Sequence, residues 1–298
     1  MNDSKRPLED LSSVPTSPRA PLPRQTSCLL AGLCAGALVA LAPQAVFAQG
    51  RLDAHYEASL SGIPVGHGSW TIEIGDDVFS ASAQGATAGL LKAFAGGTGS
   101  GGSQGRVVNG ALVPTGYAAS ISSKKSETIR MSLVNGNIRE SVIEPEPPVD
   151  PDRVVVTEAH KKGVLDPMTG TMLRVPGNGE VLTPDACRAA SSIFDGRLRY
   201  DLKLDYKRME NVKAERGYHG PAVVCAVYFT PVAGYIPDRP VIKYLATARN
   251  MEISFVPIAG TRILVPFRTI IPTPFGPAVL EATQFNTVAT PPRVAKTQ

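Results

Sequence analysis

Leu198-Arg-Tyr-Asp-Leu-Lys-Leu-Asp-Tyr206 alternates apolar and charged residues from end to end. Leu198, Tyr200, Leu202, Leu204 and Tyr206 fall on one face, and Arg199, Asp201, Lys203 and Asp205 on the other. Successive side chains of a strand point to opposite faces, so this period of two identifies a strand with one face buried. The same alternation recurs on the N-terminal side. Leu52, Ala54, Tyr56, Ala58 and Leu60 interleave with Asp53, His55, Glu57 and Ser59, and Trp70, Ile72 and Ile74 with Thr71 and Glu73. Further strands are expected at about 115–121, 127–134, 137–143, 222–229, 251–256, 262–269 and 278–286. Gly75-Asp76-Asp77, Asn135-Gly136-Asn137, Asp195-Gly196 and Ala259-Gly260 supply the turn chemistry between them.

Helical signals are few. Thr87 to Phe94 has room for two turns. Asp166-Pro167 offers an N-cap followed by proline at the first helical position, predicting a helix to about Arg174. Residues 144–152 are a Pro-rich acidic connector, and 176–179 and 231–240 are Pro- and Gly-rich as well. The expected fold is mainly β: a single curved antiparallel sheet, open or half-barrel, with one or two short helices.

The chain has 298 residues, which bounds it to one large domain or two modest ones. Residues 1–27 are expected to be a disordered N-terminal extension. Residues 28–48 have the parts of an export signal: the uncharged run Cys28 to Pro43, basic Arg19 and Arg24 upstream, and Val46-Phe47-Ala48 as a cleavage site. A spanning helix usually needs roughly 20 apolar residues, which makes a membrane anchor the weaker alternative. The β-rich domain is expected over 49–288 and a flexible tail over 289–298. The net charge of +4 shows no basic stripe interleaved with aromatics, so nucleic acid is not an expected partner. Two of the four cysteines lie in the leader. The remaining pair, Cys187 and Cys225, is expected to form a disulfide in an oxidising compartment, the alternative being two unrelated buried thiols.

The run Cys187…Ile193-Phe-Asp-Gly-Arg-Leu-Arg-Tyr-Asp-Leu202 resembles the alphaproteobacterial branch of the DUF3108 family of exported proteins. So does the return Tyr218…Cys225-Ala-Val-Tyr228…Pro231-Val-Ala-Gly234. Gly89-Leu90, Gly105, Pro114, Tyr117 and Asp166-Pro167 follow in the family's order. The resemblance covers about residues 50–286, and it implies a periplasmic β-rich domain similar to the open half-barrels of lipoprotein carriers. The family has no established activity to carry over.

Several motifs match famous patterns without their context. Gly96 to Gly105 (GGTGSGGSQG) contains the dinucleotide fingerprint Gly97-x-Gly99-x-x-Gly102, but no helix follows it and no βαβ alternation surrounds it. The expectation for this stretch is a mobile loop. Gly101-x-Ser103-x-Gly105 matches a nucleophile elbow, with His160 and His219 downstream as candidate bases, yet the helix after the elbow is missing. Ser122-x-x-Lys125 lacks the partner elements of penicillin-binding proteins. His55 shares a strand face with Asp53 and Glu57, a trio that reads as solvated. No catalytic, cofactor or metal residues are assigned.

The leading expectation is therefore a non-enzymatic protein of the periplasm or cell envelope that binds an apolar ligand, lipid or lipoprotein. Tyr56, Trp70, Ile72, Tyr200, Leu202 and Leu204 are its candidate lining residues, with plain core packing as the alternative for each. A structural or assembly factor binding an envelope protein through a sheet edge is the second expectation. A serine hydrolase centred on Ser103 is the third.

Overall fold

Fifteen strands form one open sheet in the computed structural model, which describes residues 49–290 apart from 90, 91 and 93–95. The leader 28–48, the extension 1–27, most of the tail and most of the expected turns over 87–94 lie outside the described residues. The first half is an antiparallel meander: β1 (Gly50–Leu60), β2 (Ile63–Ile74), β3 (Val78–Thr87), β4 (Thr98–Val108), β5 (Ala111–Ser122), β6 (Ser126–Val134) and β7 (Asn137–Glu144). A long crossing segment follows, holding 3-10 turns at Glu158–Lys161 and Thr169–Thr171, the short β8 (Leu173–Arg174) and a third turn at Pro184–Cys187. Then come β9 (Ala190–Phe194), β10 (Arg199–Lys213), β11 (Arg216–Gly217), β12 (His219–Ala233), the helix Pro240–Thr247, β13 (Met251–Pro257), β14 (Ile263–Thr273) and β15 (Gly276–Ala289). The order is β7-β6-β5-β4-β3-β2-β1-β15-β14-β13-β12-β10-β9, so β1 pairs with β15 and joins the two halves.

The edge strands β7 and β9 are joined by the crossing segment and by side chains, not by a ladder between them. Val164 N–H donates to Gly136 O, Leu165 N–H to Ser192 O, and Phe194 N–H to Leu165 O. Buried Phe194 packs with Met131, Leu133 and Ile138 of β6 and β7, and Arg197 pairs with Glu127 at 2.8 Å.

On β10, Leu204 is buried and Lys203 exposed, as the alternation requires. Tyr206 stays 43% exposed, just before a bulge between Tyr206 and Arg208. An extra residue in one strand flips the side chains that follow it to the other face. Val212 accordingly joins the core of Leu52, Ile72, Phe79, Phe267 and Phe285, whereas Leu204 belongs to a second core with Cys187, Val223, Cys225 and Phe255. Ala222, Val223, Val224 and Cys225 are all fully buried, so β12 is covered on both faces there. The continuous apolar run Pro221 to Val227 is the sequence form of that double burial. Cys187 and Cys225 are bonded, with Cα atoms 5.5 Å apart, which ties the covering segment to β12.

Two expectations are corrected. Residues 166–174 form no helix: Asp166 caps the N–H groups of Met168 and Thr169, but Thr-Gly-Thr follows and the chain makes one 3-10 turn before pairing as β8 with β14. Glycine and β-branched residues are poor helix formers, and the strand pairing wins. The glycine stretch from Thr98 onward is not a loop but β4, paired along its length with β3 and β5. Glycine in a strand often marks a close backbone approach. At Gly105 an added Cβ would lie 2.1 Å from Val113 O and 2.7 Å from the Phe79 ring.

Candidate functional site

The inward row of β2, β3 and β4 is large at one end and bare at the other. Ile72, Ile74, Phe79 and Ala81 are buried in the core. Towards the β1–β2 turn the same row continues as Trp70 opposite Ala83 opposite Gly101, then Gly68 opposite Gly85 opposite Gly99. A rung of three glycines has no side chain to fill the space above it. Across from it stand Leu202 of β10, Val227 and Phe229 of β12, Ile253 of β13 and Pro266 of β14. Between them is a cavity of about 940 Å³. Thr171, from the crossing segment, lies in its lining, so that segment fills one part of the interior and leaves this part empty. Leu245 of the helix Pro240–Thr247 lines it from the connection between β12 and β13.

Of the residues singled out in the sequence, Tyr56, Trp70 and Leu202 line this cavity. Ile72 and Leu204 lie in the two cores, and Tyr200 packs on Phe229 with ring centroids 5.5 Å apart. Tyr56 is 6% exposed and donates to Pro266 O at 2.7 Å, bracing β1 against β14 across the interior. Burial pushes its phenol well above the ordinary range, so it stays neutral. Trp70 Nε1 is buried without a hydrogen-bond partner. Sequence reasoning missed Phe229, Ile253 and Leu245. Their signals were the unbroken apolar run of β12 and the coincidence of Gly or Ala at alternate positions of three neighbouring strands.

The crossing segment is held by a buried polar knot. Ser103 Oγ donates to Asp166 Oδ2 at 2.9 Å and lies 2.9 Å from Thr169 Oγ1. Desolvation raises the Asp166 carboxyl above the ordinary range, partly offset by hydrogen bonds from Thr169, Ser103 and Met168. Burial, with the charges of Asp166 and Asp195 nearby, pushes the Tyr117 phenol up to about 12. Among the described residues no histidine is hydrogen-bonded to Ser103, and His160 bonds Thr157 instead. Ser103 thus has an acid partner and no base. Ser122 ends β5 in contact with Ser126 at a hairpin turn. Among the described residues no group of three or more His, Cys, Asp or Glu is placed to hold a metal.

A model of the family described as a protein of unknown function (DUF3108) matches residues 54–283. No curated protein matches the chain in sequence. Among solved structures, it is similar to a β-barrel-like protein of the domain of unknown function DUF1849 from Brucella abortus. The identity is 10%, covering 82% of this chain and 99% of that one, with a TM-score of 0.41.

Proposed function

We propose a binding function for this chain, which belongs to the DUF3108 family: an exported envelope protein that takes an acyl chain into the cavity beside the Gly68–Gly85–Gly99 rung. The cavity itself carries this reading. Its volume of about 940 Å³ falls in the range of about 300–1,000 Å³ typical of ligand sites. Its walls are aliphatic and aromatic side chains facing bare glycine backbone, an arrangement that wastes core-building positions unless something else fills them. Cavities of this kind stay dry and accept hydrophobic guests. Each methylene buried contributes about 0.8 kcal/mol, so an acyl chain of ordinary length offsets the cost of being immobilised.

Export is part of the same proposal. It is supported by the signal-like segment 28–48 and by the bonding of Cys187 to Cys225, since such disulfides persist in oxidising compartments. The direct test is titration with a fluorescent fatty acid, paired with native mass spectrometry of protein taken from its host. Saturable uptake and a co-purifying lipid are expected. Absence of both would remove the reading in favour of a scaffold or assembly role.

A further inference from the structure

At one end of the sheet, β1, β3, β5, β12 and β14 finish and β2, β4, β6, β13 and β15 begin, and it is at this end that the cavity lies. The β1–β2 and β14–β15 turns are locked side by side there. Ser61 Oγ donates to Phe275 O at 2.5 Å, and Ser61 N–H donates to Pro277 O at 2.9 Å. Both turns carry apolar side chains into solvent: Phe275 is 79% exposed and Ile63 is 59% exposed. The helix Pro240–Thr247, at the same end, exposes Val241. Ile271 and Leu280 are partly exposed and also line the cavity, so apolar surface runs from these turns to the interior without a break. Scattered exposed apolar residues are ordinary, but a patch continuous with an apolar cavity marks an interaction site.

The charge at this end selects the partner. The β5–β6 turn presents Lys124 and Lys125, both exposed, directly after Ile121, Ser122 and Ser123 of the cavity lining. Neither lysine forms an ion pair among the described residues, whereas the neighbouring carboxylates are already neutralised: Glu127 by Arg197, Glu144 by Arg130 and Asp238 by Lys243. We infer that this end of the sheet docks on the surface of an anionic lipid bilayer, with Phe275 and Ile63 entering the interface and Lys124 and Lys125 facing the headgroups. Stable attachment to a bilayer generally combines an apolar insertion with a basic cluster, and both are present. The inference rests on the acyl-binding reading, for which it supplies the source of the ligand.

The test is flotation of the protein, purified in the form its host makes, with vesicles of phosphatidylcholine alone and of an equal mixture with phosphatidylglycerol. Binding is expected mainly to the mixed vesicles and should weaken as salt rises. Phe275→Ser combined with Ile63→Ser, both exposed and without packing to lose, should lower the bound fraction by about tenfold. Lys124→Glu combined with Lys125→Glu should abolish the preference for the anionic vesicles. Fatty-acid titration of the same variants without vesicles separates the two readings. Uptake of the probe with no flotation of the wild-type protein, or with variants that float like it, would overturn the docking surface and leave the cavity reading intact. Flotation lost in the variants, without probe uptake by any of them, would support the docking surface and remove the cavity reading.

Discussion

Ser103, in the glycine-rich β4, donates a hydrogen bond of 2.9 Å to the carboxylate of Asp166, 63 positions later in the chain and fully buried. This contact fixes where the crossing segment stops filling the interior. Asp166 Oδ1 accepts the N–H groups of Met168 and Thr169, so one carboxylate both shapes the turn and fastens it to the sheet. Ser103 stands two positions from Gly101 and four from Gly99, on the same inward row. The knot and the empty rung are thus successive parts of one strand.

Replacing Asp166 with Ala leaves two backbone donors and the Ser103 hydroxyl unpaired in the interior, and is expected to cost about 1–3 kcal/mol. Asp166→Asn keeps one acceptor oxygen for the two N–H groups and offers an amide N–H to Ser103, so its cost should stay within about 1 kcal/mol. The pH dependence distinguishes them further. The folded carboxyl has a raised pKa, so the native state holds its proton more tightly than the unfolded chain does. This contribution favours folding below the unfolded value of about 3.9 and is lost as pH rises through the raised folded value. Thermal melts should therefore show Asp166→Asn gaining on the wild-type protein between acid and neutral pH. A constant difference across that range would contradict the assignment.

Trp70 is the single tryptophan of the chain and lines the cavity, which makes its emission a direct reporter. Adding a saturated, non-fluorescent fatty acid should shift or enhance that emission saturably. Gly99→Leu is the companion variant. An added Cβ there meets only Ser120 O at 3.8 Å, and the larger side chain would project over the bare rung. It should abolish the Trp70 response while leaving the melting temperature near that of the wild-type protein. A variant that still responds fully would place the ligand elsewhere.

The sheet was legible in the sequence wherever one face meets water. Leu52 to Leu60 and Leu198 to Leu204 alternate because their outward neighbours are solvated, and turn residues mark their ends. The reading failed where both faces are covered or where side chains are absent. β4 lacks apolar residues over Thr98 to Gly105, so its strand character resides in register with β3 and β5, a long-range property that local pattern does not carry. The capping chemistry of Asp166 was correctly visible, but not the competition from β14 that ends the turn. The cavity was half legible. Tyr56, Trp70 and Leu202 are apolar residues on identifiable faces, whereas an empty space is defined by glycines on three strands whose pairing must be known first.

Cys187 and Cys225 are both fully buried, and their bond holds the Pro184–Cys187 turn against the second core. Their separation is 38 residues, and closing a loop of that size stabilises the folded state by about 4 kcal/mol in the chain-entropy model. Changing both to Ala should lower stability by about 2–4 kcal/mol in denaturant titration, with the covering segment exchanging its amide hydrogens first. Unchanged stability would mean that the packing of Ala186, Val223 and Leu204 holds the segment without the bond.

Gly105 and Gly99 stand on the same strand and make opposite predictions. At Gly105 the nearest atoms to an added Cβ are backbone: Val113 O at 2.1 Å and Pro114 Cα at 2.7 Å, beside the Phe79 ring. None of these yields without separating β4 from β5, at a register irregularity where the two strands are already shifted. Gly105→Ala should therefore destabilise the domain by more than about 2 kcal/mol, among the larger effects of any single substitution. Gly99→Ala meets open space and removes only the freedom of the unfolded chain, so it should be neutral or stabilising by about 0.4–1 kcal/mol. Hydrogen exchange gives the same contrast a second readout. Paired on both sides, the amides of β4 should exchange as slowly as those of β3, where a glycine loop would exchange within seconds. Fast exchange through Thr98 to Val108, with both alanine variants melting like the wild-type protein, would restore the loop and dissolve the rung on which the cavity depends.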